Sequence, residues 1–276
     1  MKEHVISETE YNTFREYLES ITGIVLGDSK HYLISSRLSR IMDEGDFSSY
    51  TQLLDEVKKS ANTGLRERVV DAMTTNETMW FRDIYPFEVL KNELLPQFAN
   101  RRGMPLRIWS AACSSGQEPY SISMTISEFQ AANPGAFPGG VQITATDISG
   151  AMLKYSQQGV YDNAALRRGI SPERQARFFR AKGDNWEVIP EIKTRVSFKA
   201  LNLQQSYTAL GKFDLIFCRN VLIYFSPEFK KDILHRLADQ LSPEGYLFLG
   251  SSEAPTRYTD IYKMIRTSKG VVYQKN

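Results

Sequence analysis

The strongest constraint in this 276-residue chain is a strand that runs straight into a small-residue loop and a helix. An apolar run, Leu106 to Trp109, leads into six small residues, Ser110 to Ser115, and then Gly116; a helix carrying Glu118 follows. Small residues let the backbone pass close under a ligand, and a helix start offers free N–H groups. An α/β protein builds a nucleotide-type pocket this way at the end of its first strand, although an ordinary tight strand-to-helix turn looks the same. From about residue 85 helix and strand alternate. The pattern predicts a helix over 86–99, a strand over 105–109, a helix over 117–131, a strand over 141–146 and a helix near 150–157. A strand over 213–218, a helix over 228–241 and a strand over 245–250 follow. Such alternation implies a mostly parallel sheet covered on both faces. A closing hairpin near 262–274, turning at Ser268-Lys269-Gly270, adds one antiparallel strand.

Residues 1–75 read as a small all-helical domain. Phe14, Tyr17, Leu18 and Ile21 recur at helical spacing, as do Tyr50, Leu53, Leu54 and Val57. Between them a helix over 29–42 carries an apolar stripe (Ile34, Leu38, Ile41) and, beside it, the cations Lys30, Arg37 and Arg40. That basic stripe is either a solvated face or a docking surface. A segment at 76–85 joins this domain to an α/β domain over 86–276. Residues 160–200 interrupt the alternation with a short helix opened by Ser171-Pro172 and strand-like runs at Trp186 to Ile189 and Arg195 to Phe198. Nine Lys or Arg stand there against five Asp or Glu, so this inserted β-subdomain is a scaffold decoration or a docking surface.

Bulk properties exclude several classes. Lys and Arg total 34 against 32 Asp and Glu, and a net charge of +2 gives no global pull toward nucleic acid. No stretch is long and apolar enough to cross a bilayer. The two cysteines, Cys113 and Cys218, fall in core-like segments, as reduced cytosolic thiols do, and no metal site is expected. The expected location is the cytoplasm.

Three further pieces gather around the loop. The run ITATDIS places Asp147 at a strand tip, where a carboxylate accepts ribose hydroxyls or caps the following helix, a role Ser149 shares. FDLIFCRNVLIYF breaks from a buried strand into Arg219-Asn220, with Tyr224 four residues beyond Asn220. In TTNETMWFRD, an extended backbone would point Asn76, Thr78 and Arg82 the same way; a polar linker is the bland alternative.

Taken together, CSSGQEPYS, ATDIS, CRNVLIYF and GYLFLGSSE closely resemble the CheR family, the chemotaxis-receptor glutamate methyltransferases, over essentially the whole chain. The resemblance implies a class I methyltransferase fold, a doubly wound, mostly parallel sheet. It also implies S-adenosylmethionine as cofactor and S-adenosylhomocysteine as its product. Position by position, it implies cofactor contacts from Asn76, Thr78, Arg82, Glu118, Asp147, Asn202, Leu203, Arg219 and Asn220, with Arg82 and Tyr224 orienting the reacting groups. It makes Lys30, Arg37 and Arg40 candidates to receive an acidic helix of a chemoreceptor's cytoplasmic bundle. Relatives that tether to a receptor's C-terminal pentapeptide carry a longer, Gly-containing loop in the inserted subdomain. Here AKGDNWEVIPEIKT is compact and holds Pro190, which predicts a pentapeptide-independent enzyme. Gln117, where many relatives have an acidic residue, is a milder departure. The same chemistry on a non-chemotaxis receptor, or a non-catalytic sensor of the cofactor, stays open. A nicotinamide dehydrogenase is disfavoured because residues 110–116 lack the G-x-G-x-x-G spacing.

Overall fold

The computed structural model describes residues 5–101 and 103–276. Four helices open the chain: α1 (Glu8–Thr22), α2 (His31–Glu44), α3 (Tyr50–Lys58) and α4 (Thr63–Met73). α1 starts on a capping box in which Ser7 and Glu10 satisfy each other's backbone N–H groups, and it ends on Gly23 at φ +77°. These helices enclose a core of their own around Tyr11, Phe14, Leu18, Leu38, Leu53 and Val57. The basic stripe starts at the edge of its helix: Lys30 is the N-cap of α2 and not its first turn. α4 carries too few apolar positions to announce itself, since Val69 and Met73 alone are buried.

The second domain begins with α5 (Tyr85–Val89), a π-helical turn over Leu90–Leu94 and α6 (Leu95–Phe98), so the helix expected over 86–99 is interrupted by one wide turn. Then come β1 (Leu106–Ala111), α7 (Gln117–Ala132), β2 (Val141–Asp147), α8 (Gly150–Gln158), β3 (Val160–Tyr161), α9 (Asn163–Arg167) and α10 (Pro172–Phe178). β4 (Phe179–Lys182), β5 (Asn185–Val188), α11 (Pro190–Lys193), β6 (Val196–Ala200), β7 (Phe213–Cys218) and α12 (Pro227–Gln240) follow, then β8 (Leu241–Leu249), β9 (Tyr262–Arg266) and β10 (Val271–Lys275).

Seven strands form one sheet in the order β6-β2-β1-β7-β8-β10-β9. β6, β2, β1, β7 and β8 pair in parallel, and β10 runs antiparallel to both β8 and β9. One strand therefore opposes all the others, as the closing hairpin predicts. Apolar side chains line both faces of the sheet. Ile108, Leu215 and Phe217 belong to one core with α7, and Trp109, Ile216 and Leu247 to the other with α12. The chain winds outward from β1 to β2 and β6, returns to β7, and winds the other way. Ligands of such sheets bind where that order reverses, between the tips of β1 and β7.

The insertion differs from expectation at its end. β3, β5 and β4 form a separate three-stranded antiparallel sheet, but β6 pairs with β2 as the edge of the main sheet. Its exposed, polar register (Ser197, Lys199 and Ala200 face solvent) reads the same in either sheet, which is why 195–198 looked like part of the subdomain. Pro190 does not interrupt a strand either. It opens α11 after β5 has ended at Val188, and β5 is the central strand of its sheet.

Candidate active site

A cavity of about 330 Å³ lies at the switch point, within the range of small-molecule sites. Asn76, Thr78, Arg82, Glu118, Asp147, Asn202, Leu203, Arg219, Asn220 and Tyr224 all line it, as do Lys30 and Arg37; Arg40 is not part of its wall. The roof comes from the helical domain. Residues Thr22 to Gly27 and Tyr32 close the side facing away from the sheet, a contribution that sequence reasoning missed because the stretch reads only as a helix end.

The floor is the loop after β1. Ala112 and Ser114 adopt φ of +57° and +50°, a region L-residues seldom occupy, and Gly116 sits at +91°. Several hydrogen bonds over-determine this conformation. The Cys113 N–H donates to the Thr146 carbonyl (2.9 Å) and the Tyr161 hydroxyl to the Ser115 carbonyl (2.7 Å). The Ser114 hydroxyl donates to the Asn76 carbonyl at 2.9 Å, tying the joining segment to the floor. A Cβ at Gly116 would stand 2.9 Å from Ser156 and 3.0 Å from the Tyr161 hydroxyl, so only glycine fits.

Asp147 is the loop's anchor. One of its carboxylate oxygens accepts the Ser114 N–H (2.7 Å), and the other accepts the Ser149 N–H (2.9 Å). The helix-cap alternative falls to Ser149, whose hydroxyl accepts the Met152 N–H and leaves Asp147 to the cavity. Burial pushes the Asp147 carboxyl above its ordinary value, against the pull of N–H groups from Ser149, Ser114 and Ile148.

Arg219 organises the opposite wall. Its side chain is 1% exposed and bridges Glu118 (2.9 Å) and Asp83 (2.7 Å), and it also donates to the Arg82 carbonyl (3.0 Å). The Ser110 hydroxyl holds the other oxygen of Glu118 at 2.8 Å. Two carboxylates on one guanidinium leave a net negative charge at the wall, suited to a cationic ligand. Asp83 carries no sequence signal of its own. It follows Arg82 in a turn, not an extended stretch: Phe81, Asp83 and Ile84 all have positive φ, so Arg82 reaches the cavity by that turn and not by alternation.

Asn202 and Leu203 divide their work. Leu203 is buried beside Trp109 in the core that also lines the cavity. The Asn202 amide donates to the Ile21 carbonyl (2.7 Å), and Gln204 donates to the carbonyls of Glu19 (3.2 Å) and Ser20 (3.4 Å). Together they cap the end of α1 and clamp the helical domain to the sheet domain. The Val25 N–H adds a bond to the Tyr224 carbonyl at 2.9 Å.

The basic stripe splits. Arg37 turns inward, donating to the carbonyls of Met73 (2.7 Å) and Thr74 (3.2 Å) and to the Thr75 hydroxyl (2.9 Å). Arg40 is 85% exposed and pairs with Glu44. Lys30 stands 5.8 Å from the ring centre of the exposed Tyr32. Among the described residues no cluster of His, Cys, Asp or Glu could hold a metal ion.

This arrangement matches a family over both domains. Residues 9–74 match the all-alpha domain of CheR methyltransferases, and residues 76–271 match the CheR methyltransferase SAM binding domain. The chain belongs to the CheR methyltransferase family. It is 54% identical over 267 residues to chemotaxis protein methyltransferase Cher2 of Pseudomonas putida, covering 96% of this chain and 97% of that one. It is equally similar to chemotaxis protein methyltransferase 1 of Pseudomonas aeruginosa, 54% over 270 residues with 97% and 98% covered. Chemotaxis protein methyltransferase 1 of Vibrio cholerae is 54% identical over 271 residues, with 98% of each chain covered. CheR membership accounts for the two-domain cavity: the family's all-alpha and SAM binding domains are the two bodies that enclose it, with S-adenosylmethionine (SAM) the group the second domain binds.

Proposed function

We propose that this CheR family member methylates chemoreceptors, esterifying glutamate side chains on their cytoplasmic helices for sensory adaptation. The observation that carries this is the convergence of ten residues from five separate segments on one cavity between the two domains.

The wall suits S-adenosylmethionine. Glu118 and Asp83 would offset a cationic ligand, Asp147 at the cavity wall would accept ribose hydroxyls, and Asn220 Oδ1 is a buried acceptor without a protein partner. Asn76, Thr78, Asn202, Leu203 and Arg219 complete the holding set. Bound there, S-adenosylmethionine supplies a methyl group on a positively charged sulfur, an activated donor that an ionised glutamate takes without a general base. The chain's own task is alignment and exclusion of water. The Tyr224 hydroxyl would hold the acceptor carboxylate, Arg82 would orient it by charge, and the roof from Thr22 to Gly27 would shield it. Neither Tyr224 nor Arg82 moves a proton.

A protein acceptor fits the rim. Val25, Tyr32 and Ile223 are among the few large apolar residues exposed anywhere on the described surface, and all three belong to or adjoin the cavity mouth. With Lys30 and Arg82 alongside, an acidic helix with small or apolar neighbours is the surface this mouth would accept. No described helix is long and apolar enough to cross a membrane. An enzyme acting on a receptor's cytoplasmic helices would work in the cytoplasm.

We read the enzyme as pentapeptide-independent. The β4–β5 hairpin turns in two residues, Gly183 and Asp184, since Lys182 pairs directly with Asn185. Pro190, which opens α11, does not bear on this reading; the tight hairpin does.

The test is incubation with methyl-labelled S-adenosylmethionine and purified receptor cytoplasmic fragments. Base-labile label on receptor glutamates is the expected result. Cofactor binding with no label on any receptor fragment would favour the non-catalytic sensor.

A further inference from the structure

The family-like run GYLFLGSSE closes β8 against Asn220. Glu253, at its end, is 8% exposed. One oxygen of its carboxylate, Oε2, accepts two backbone N–H groups, from Gly250 at 2.7 Å and from Asn220 at 2.8 Å. Asn220 itself sits at φ +58°, in the left-handed region that asparagine enters more readily than most residues, and its N–H is fixed there by the Glu253 carboxylate. Gly250 faces it from the other side. A Cβ on Gly250 would lie 2.7 Å from Asn220 Nδ2, 2.7 Å from Glu253 Oε2 and 2.9 Å from the Asn220 N–H nitrogen. Three buried polar atoms at this corner have no protein partner: Arg219 Nε, Asn220 Oδ1 and Glu253 Oε1. A packing site would not concentrate such atoms, because each costs desolvation without return.

We propose that Glu253 is a positioning residue for methyl transfer, holding Asn220 in its left-handed conformation so that the Asn220 side chain stays at the cavity wall, with Gly250 the space this requires. Glu253 acts through Asn220 and touches no reacting atom. The inference rests on reading Asn220 as part of the cofactor wall.

The experiment titrates S-adenosylhomocysteine calorimetrically into wild type, Glu253→Leu, Glu253→Gln and Gly250→Ala, and measures KM and kcat for methyl transfer. Glu253→Leu orphans two N–H groups and should weaken binding about tenfold at unchanged stoichiometry. Glu253→Gln keeps an oxygen for both N–H groups and should bring affinity back to within about threefold of wild type. Gly250→Ala should weaken binding in the same sense as Glu253→Leu, and it carries the test if the leucine variant does not fold. KM for S-adenosylmethionine should rise with kcat at saturation little changed. Wild-type affinity in Gly250→Ala, or a fall in stoichiometry at unchanged affinity in any of the variants, would overturn the positioning role. Wild-type protein that binds no S-adenosylhomocysteine would overturn the cofactor reading itself, a separate outcome.

Discussion

Asp147 carries a structural load at the wall of the cavity. Its two oxygens already hold the floor loop and the Ser149 N–H, yet burial still leaves its carboxyl above the ordinary value. A carboxyl raised in the folded state favours folding when protonated, and that contribution is lost as pH rises through its folded value. A ligand that donates hydroxyls reverses the balance by stabilising the ionised form. S-adenosylhomocysteine affinity should therefore fall as pH drops from about 7 through the carboxylate range, with proton release on binding. Asp147→Asn should bind about tenfold more weakly at neutral pH and lose the slope; an unchanged slope in calorimetry across that range would refute the assignment. At Tyr224, removing only the hydroxyl separates chemistry from binding. Tyr224→Phe should lower the methyl-transfer rate at least about tenfold at unchanged cofactor affinity, and a full rate would end its role. Asp147 was legible in the sequence from its place at the tip of a buried strand, whereas Tyr224, in a turn six residues past its strand, was reached only through the family resemblance. Asp83 and Glu253 were not legible, since a partner reached from another segment leaves no local pattern.

At the scale of elements, the strand-helix alternation was legible wherever an apolar face is broad, as in β7, every residue of which is buried. It failed where burial is slight. α4 buries two side chains, and β6 alternates so weakly that its sheet was misjudged. The clamp on α1 was equally invisible, because it joins side chains of 202–204 to carbonyls some 180 positions earlier in the chain. Its consequence is mechanical. Asn202 and Gln204 cover the last carbonyls of α1, and Gly23, immediately after, turns the chain into the cavity roof. Asn202→Ala removes one such bond, worth about 1 kcal/mol, from the seam between the domains. The helical domain keeps its own core, so global melting should shift little. Amide exchange over 22–27 should instead rise severalfold, with weaker S-adenosylhomocysteine binding. Exchange identical to wild type in that stretch would show that the roof is held from elsewhere.

Across the whole molecule, the decisive feature is that one domain provides the floor of the cavity and the other its roof. The resemblance of the motifs carried the fold and the floor, but no local pattern shows that Thr22 to Gly27 would close over Asp147 and Glu118. That geometry also divides the basic stripe by function. Arg37 spends its guanidinium on Met73, Thr74 and Thr75, the stretch that enters the cavity, so it holds the site together from within. Lys30 and Arg40 keep their heads outside, where Arg40 shares Glu44 with Arg68. Exposed charges of this kind contribute little each and are screened by salt, but together they would steer an acidic partner. Reversing Lys30 and Arg40 to Glu should raise the receptor KM severalfold at low salt, converge on wild type as salt rises, and leave S-adenosylhomocysteine affinity unchanged. Arg37→Glu should do the opposite: lower the melting temperature and weaken cofactor binding at every salt concentration. The same receptor fragments, with and without a C-terminal pentapeptide, should be methylated and pulled down equally, because the two-residue β4–β5 hairpin adds no loop to hold the tail. Retention that depends on the pentapeptide would move the docking surface from the cavity mouth to the small sheet.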